Sequence, residues 1–190
     1  MASTTKPGFT FIEIIVVLAI MGLLMAVVVP NIQRFRPGYE RNLFVTTVSA
    51  LVQRAWQNAL ATHELHRVWF NIEQRTVVIQ QATDKHNRAG EAIYQEISSE
   101  YIPASYTWPE SLQIKDFFID GTDFMHAPGT AGVKIHEVWF YIYPDGSCQE
   151  VIINIFDTAD TTESEAGTRL SLVLNPFSAR FTQYGTFQHP

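Results

Sequence analysis

The chain has 190 residues, enough for one domain with a sizeable hydrophobic core and an additional anchoring segment. Its 13 basic and 19 acidic side chains give a formal net charge of −6. Nucleic acid is therefore a poor partner, because nucleic-acid binding favours stripes of Lys and Arg. The single cysteine, Cys148, excludes an intramolecular disulfide, and we predict an inert thiol because no histidine or other base is adjacent to it in sequence.

An almost entirely apolar segment begins close to the N-terminus. Between Phe9 and Val29 the only polar side chains are those of Thr10 and Glu13. As a helix, this segment would span about 31 Å, close to the thickness of a hydrocarbon core. It has no polar helix face and no small-x-small cleavage site after it, which favours a retained transmembrane helix over a removable secretory signal.

Two charge features of this segment need an explanation. Lys6 precedes the span and several arginines follow it, so counting positive charges would by itself place the C-terminal side in the cytoplasm. Glu13 lies about one turn inside the span, where a carboxylate costs about 2.5–3.5 kcal/mol on insertion scales. It either reaches back to the cytoplasmic interface or pairs with a cation at the membrane boundary.

The residues around the start of the span form a recognisable pattern. A short polar leader ends in Gly8, and Phe9 follows at once, with Glu13 four residues later at the polar-to-apolar boundary. This pattern closely resembles the class III signal of type IV prepilins and type II secretion pseudopilins. The resemblance implies that prepilin peptidase cuts between Gly8 and Phe9 and methylates the new amine of Phe9. It also implies that Glu13 pairs with this amine, in the same chain or in a neighbouring subunit.

The same resemblance implies an orientation and a set of partners. The N-terminus would be cytoplasmic, the helix would cross the bacterial inner membrane once, and the C-terminal domain would be periplasmic. Gly22 and Pro30 lie where this family has helix-loosening residues, and a proline in a helix interior predicts a kink or local melting near 26–30. The expected partners are prepilin peptidase, the inner-membrane secretion platform, the lipid bilayer and other pseudopilins, which would contact the N-terminal helix.

After Pro30 the pattern becomes that of an amphipathic helix ending near Thr62. A break is predicted near Pro37 and Gly38, where "RPGYE" interrupts the periodicity. The apolar residues recur at three- and four-residue steps: Leu43, Val48, Leu51, Val52, Ala55, Ala59 and Leu60.

The remaining chain reads as short strands bounded by Gly, Pro, Asp and Asn. The strand-like runs are Arg67–Gln81 (two strands around a short turn), Leu112–Asp120, Val138–Gly146, Glu150–Phe156, Thr168–Asn175 and Ala179–Tyr184. We therefore predict an α+β fold, in which a long N-terminal helix packs through its amphipathic half on an antiparallel two-sheet domain. The predicted organisation is a leader at 1–8, a transmembrane helix at 9–30, an amphipathic periplasmic helix at 31–63 and a β-rich globular domain at 64–190.

Three segments favour one subtype of this family. The hairpin after the helix, "FYIYPDGSC" and "LSLVLNPFSARF" resemble the H-type minor pseudopilins (GspH-like), which are related to FimT-like pilins. The resemblance implies a subunit of the periplasmic pseudopilus that exports folded proteins across the outer membrane. The alternative is a type IV pilus minor pilin in pilus assembly or DNA uptake. DNA uptake predicts a basic C-terminal patch, whereas the last 30 residues contain two arginines and two glutamates.

Catalysis and cofactors are not expected. "HELH" at 63–66 does not have the H-E-x-x-H spacing of a zinc protease, so these histidines are predicted to lie on the surface. The acidic loop at 157–166 lacks an alternating D-x-D-x-D pattern and is predicted to be solvated rather than a calcium site. A singly anchored periplasmic enzyme or sensor remains a third class, and it would need neither Glu13 nor cleavage at Gly8.

Overall fold

Two helices occupy the N-terminal third of the chain. The computed structural model describes residues 11–34, 36–97, 104–126, 135–160 and 167–190, and the side chains of 26–37 are outside this description. Helix α1 is Phe11–Arg34 and α2 is Arg36–Thr62. Pro37 and Gly38 both lie within the first turn of α2, where the missing N–H of a proline costs little. Residue 35 lies outside the described residues, so a break beside it stays a prediction. Two compact units divide the chain, Met1–Tyr39 and Glu40–Pro190.

The described strands of the second unit form two five-stranded antiparallel sheets. The first has the order β3-β2-β1-β7, with β4 also paired to β2, and the second has the order β10-β9-β8-β5-β6. The strands are β1 His66–Asn71, β2 Thr76–His86, β3 Ala92–Glu96, β4 Ser105–Thr107, β5 Leu112–Ile119, β6 Thr122–Asp123, β7 Glu137–Ile142, β8 Val151–Asp157, β9 Thr168–Asn175 and β10 Arg180–Tyr184. This arrangement confirms the predicted fold class.

Aromatic and aliphatic side chains fill the space between the two sheets. Phe70 of β1 meets Phe117 of β5 with ring centroids 5.2 Å apart, so the inner faces of the two sheets are in contact. Leu170, Leu172 and Leu174 are all buried, as their alternation in β9 predicts. The core therefore consists of the inward-facing residues of both sheets together with one face of α2.

The buried face of α2 differs from the predicted one only near its two ends. Leu43 and Leu60 are 42% and 37% exposed, whereas Phe44, which the pattern missed, is fully buried. One residue along a helix is a rotation of about 100°, so a neighbour of the buried stripe points away from it. Phe44 also packs edge-on against Trp108, with centroids 6.0 Å apart. The buried side chains of α2 are Phe44, Val48, Leu51, Val52, Ala55 and Ala59.

The predicted "YPDGSC" turn is present, and it carries the chain from one sheet to the other. Its tip is closed by a hydrogen bond from Gly146 N to Tyr143 O (3.0 Å), and Gly146 has a φ of +84°. Ile142 and Cys148 form an isolated antiparallel bridge, after which the chain enters the second sheet as β8. Trp56 of α2 donates its indole N–H to Gly146 O (2.7 Å), so this turn is also fixed to the helix.

His66, at the start of β1, is buried rather than on the surface as predicted. Its Nδ1 lies 2.8 Å from Glu64 O, and its Nε2 has no hydrogen-bond partner among the described residues. Burial lowers the pKa of His66, although the Glu64 carbonyl and carboxylate act in the opposite direction. The imidazole is thus held neutral, with Nδ1–H as the donor.

This burial predicts an acid-sensitive stability. Below about pH 6.5 the unfolded chain gains a proton on His66 that the folded chain resists, so the free energy of unfolding falls by up to about 1.4 kcal/mol per pH unit until the lowered pKa is reached. His66→Phe should flatten this slope in urea unfolding between pH 7 and 5. The matched variant His136→Phe, at an exposed histidine, should keep it. Equal slopes in wild type and His66→Phe would contradict the assignment.

Candidate functional site

Helix α1 presents apolar side chains over the whole of its described surface. All side chains from Phe11 to Met25 are exposed, including Phe11 at 80% and Leu23 at 71%. An apolar surface of this extent indicates a binding face for lipid or for other helices. Among the described residues, no helix reaches the length and apolarity that crossing a membrane requires.

Glu13 is the one acidic residue in the first turn of α1. Exposed apolar side chains precede and follow it, those of Ile12 and Ile14. An acidic side chain at this position interacts favourably with the positive end of the helix dipole. The predicted cleavage site, Gly8 and Phe9, lies outside the described residues, so the ion pair between Glu13 and the Phe9 amine stays a prediction.

Gly22 and Pro30 both lie within α1. A Cβ built on Gly22 meets nothing within 4 Å, so the packing of the isolated chain does not require glycine there. The backbone is α-helical through Pro30 to Arg34, and no melted turn is present at 26–30. Proline removes one hydrogen bond of the ladder, and the described helix continues without it. Loosening of this helix in an assembled filament stays a prediction.

Comparison with known proteins finds similarity both in the N-terminal segment and in the fold. The model of the prokaryotic N-terminal methylation motif matches residues 5–29. Two structures of the minor pseudopilin EpsH from the type 2 secretion system of Vibrio cholerae resemble this chain. They are 14% and 13% identical to it, with TM-scores of 0.52 and 0.53, and the matches cover 77% and 80% of this chain and 97% of each EpsH chain.

The chain combines a prepilin-type methylation motif with a pilin-like fold. At this level of identity the likeness to EpsH shows a shared fold, and the methylation motif shows where the pilin-like N-terminus lies. No curated protein sequence matches the chain significantly. Pilin-like proteins are structural subunits rather than a family of enzymes.

Cys148 of the pilin-like chain is buried and free. Burial raises the pKa of its thiol to about 11, with the nearby Asp120 carboxylate adding to the rise. Its Sγ lies 3.4 Å from Pro176 O, beneath the segment between β9 and β10. These surroundings agree with the predicted inert thiol, because the thiolate is the reactive form.

A labelling experiment tests this thiol. At pH 8, the native chain should react with iodoacetamide about 100-fold more slowly than the chain in urea, because both the raised pKa and the burial suppress the thiolate. The rate is measured by mass spectrometry of the alkylated peptide. Equal rates in the native and denatured chains would show that Cys148 is accessible and ionisable.

The described part of the acidic loop, 157–160, differs from the prediction of a solvated loop. Asp157 and Asp160 are buried rather than solvated, whereas 161–166 lie outside the described residues. Asp160 accepts a hydrogen bond from Arg41 (3.1 Å), which lies 119 residues away in sequence on α2. Burial raises the pKa of Asp157, opposed by backbone N–H donors of Ala159 and Asp160 and by Arg41. Asp160 therefore connects the segment after β8 to the helix.

His63 and His66 of the "HELH" segment lie in different environments. His63 has a φ of +57° and its N–H bonds to Ala59 O (3.0 Å), which ends α2, while His66 is buried separately. A different set of side chains has the spacing of metal ligands, and sequence reasoning did not find it: Asp116, Asp123 and His126. His126 Nδ1 lies 2.9 Å from Asp123 Oδ2 and 3.6 Å from Asp116 Oδ1, so the imidazole itself occupies the space between the carboxylates.

Proposed function

We propose that this pilin-like chain is a minor pseudopilin of a bacterial type II secretion system. The observation that carries the proposal is the combination of a methylation motif at 5–29 with a fold similar to that of the minor pseudopilin EpsH. In this proposal the subunit assembles through α1 into a short periplasmic filament, the pseudopilus. The filament then drives folded proteins across the outer membrane.

The proposed topology places the N-terminus in the cytoplasm, α1 in the inner membrane and the β-rich domain in the periplasm. The exposed apolar side chains of Phe11–Met25 support it, because such a surface is stable only when lipid or other apolar helices cover it. Prepilin peptidase removes residues 1–8 between Gly8 and Phe9 and methylates Phe9. The inner-membrane secretion platform and the other pseudopilins, major and minor, are the remaining partners.

Glu13 has a defined role in this proposal. Cleavage creates a positively charged amine at Phe9, four residues from the Glu13 carboxylate. An ion pair between the two, within a chain or between neighbouring subunits, offsets the cost of a carboxylate in lipid. Pairing between subunits would also fix how far one helix is displaced along the filament axis relative to the next. The subunit needs no catalytic group for this work.

Deletion of the gene in its host bacterium tests the function. We expect loss of extracellular secretion of folded proteins, with surface pili and natural transformation unchanged, and restoration of secretion by the wild-type gene on a plasmid. Loss of pili or of transformation with normal secretion would instead assign the chain to the type IV pilus, as a minor pilin. Secretion is measured as the fraction of exported enzyme activity in the culture medium.

A further inference from the structure

The outer face of the second sheet carries a pocket that the proposed function does not use. In β8 the odd-numbered residues Val151, Ile153 and Ile155 belong to the core, so Asn154 and Phe156 point to the opposite face. The pocket has a volume of about 400 Å³. Its lining residues come from three strands, the segment after β6 and the C-terminal segment: Lys115, Asp116, His126, Phe156, Arg169 and Phe187.

An irregularity in β5 creates the cationic side of this pocket. The register of β5 against β8 shifts between Ile114 and Asp116, which leaves Lys115 without a partner in the ladder. Such a bulge places an extra residue in one strand and redirects its side chain. Lys115 and Asp116 thus both line the outer face, although neighbours in a regular strand alternate between faces. Lys115 Nζ lies 5.7 Å from the centre of the Phe156 ring.

Arg169 supplies the second positive charge. It is paired in register with Phe156 across β8 and β9, so Lys115 and Arg169 both adjoin the same phenyl ring. The Arg169 guanidinium also lies 5.4 Å from the centre of the Phe187 ring. Two exposed cations therefore lie beside aromatic surface, which attracts them without neutralising their charge.

Neither cation is paired with a carboxylate in the described part of the chain. Lys115 donates to the neutral amide of Gln113 (3.2 Å), and the Arg169 guanidinium contacts the Phe187 ring. The nearest acid, Asp116, accepts a hydrogen bond from Asn154 at Oδ2 (2.9 Å) and faces His126 at Oδ1. Asn154 is fully buried and also exchanges hydrogen bonds with the backbone of Gln188, so the partner of the Asp116 carboxylate is itself fixed in place.

We propose that this pocket is a docking site for a glutamate or aspartate side chain on an acidic segment of a partner protein. A carboxylate between Lys115 and Arg169 can accept hydrogen bonds from both cations, and a guanidinium can bind it through two parallel N–H groups. The remainder of the chain has a net charge that repels acidic proteins, since the total is −6. The pocket thus selects where on the domain such a segment binds.

The test uses the full chain in a neutral detergent and a peptide of alternating glutamate and glycine carrying an uncharged dye. Fluorescence anisotropy should show binding at least about tenfold tighter than that of the same peptide with glutamine for glutamate. The variant Lys115→Gln with Arg169→Gln should lose about tenfold in affinity for the acidic peptide. Lys85→Gln with Arg180→Gln removes the same charge outside the pocket and should change the affinity less than about twofold.

Several results would overturn the proposal. Equal binding of the glutamate and glutamine peptides would remove the role of the carboxylate, and equal losses in the two double variants would indicate unspecific charge attraction. Displacement of the peptide by inorganic phosphate at concentrations where acetate has no effect would indicate a free-phosphate site instead. Circular dichroism of each variant checks that lost binding does not come from lost folding. Because secretion is not the readout, failure here leaves the proposed function standing.

Discussion

Replacing Glu13 by leucine should leave membrane insertion and leader cleavage intact but lower the amount of assembled subunit at least about tenfold. The reason is that the variant makes α1 more apolar, which helps insertion, while it removes the carboxylate that the charged amine of Phe9 needs as a partner in lipid. Assembly is measured by cross-linking the subunit to its filament neighbours in the host, and secretion by exported enzyme activity. Both should fall together.

Two further variants control for this result. Glu13→Asp keeps the charge and should retain most of the assembly, whereas Val17→Leu changes an exposed apolar residue one turn along α1 and should have little effect. Normal assembly in Glu13→Leu would show that assembly does not need the Glu13 carboxylate, which would then only extend to the membrane interface. Loss of cleavage in Glu13→Leu would mean that the residue acts on the peptidase rather than in the filament.

Gly167→Ala should be the most destabilising single substitution of a glycine in the β domain. Gly167 has a φ of +122°, and a Cβ built on it overlaps the backbone O of Asp157 and lies 3.0 Å from Phe156 Cε1. Both the backbone strain and the overlap with a main-chain atom oppose the substitution, so we expect a loss of about 3 kcal/mol or more in the free energy of unfolding. Urea unfolding monitored by tryptophan fluorescence measures it.

Substitutions at two other glycines separate the cost of backbone strain from the cost of atomic overlap. Gly90 has a φ of +83° but open space around its Cβ, so Gly90→Ala should cost about 1 kcal/mol from backbone strain alone. Gly185 has neither a positive φ nor a close neighbour, and Gly185→Ala should be nearly neutral. A Gly167→Ala variant no less stable than Gly90→Ala would show that the β8–β9 connection relaxes easily around the added methyl group.

The sequence predicts the central strands well because their burial leaves a pattern in it. β8 and β9 are rich in Ile and Leu and have buried inner faces, so their existence and approximate ends could be predicted. β3, β4 and β6 were missed because they are short or largely exposed strands without a periodic apolar pattern. The predicted buried face of α2 was correct in the centre of the helix. It was wrong at Leu43 and Leu60, which lie near the ends of that face and are exposed.

Polar residues were harder to predict, since their environment depends on residues distant in sequence. Asp160 is buried beside Arg41 of α2. His66 is buried because it lies on the same face of β1 as the core residues Val68 and Phe70. Asp116 and His126 approach each other only because β5 and β6 form a tight hairpin. The N-terminal motif is the opposite case, because the signal lies in the local order of Gly8, Phe9 and Glu13.

Mass analysis of the mature N-terminus tests the central claim most directly. The full-length chain is produced in the inner membrane of a strain that has prepilin peptidase, and the N-terminal peptide is sequenced. We predict a chain that begins at N-methylated Phe9 and lacks residues 1–8, and we predict that it remains uncleaved in a peptidase-deficient strain. A chain that keeps Met1–Gly8 in the presence of active peptidase would contradict the proposed pseudopilin maturation, and with it the role of Glu13.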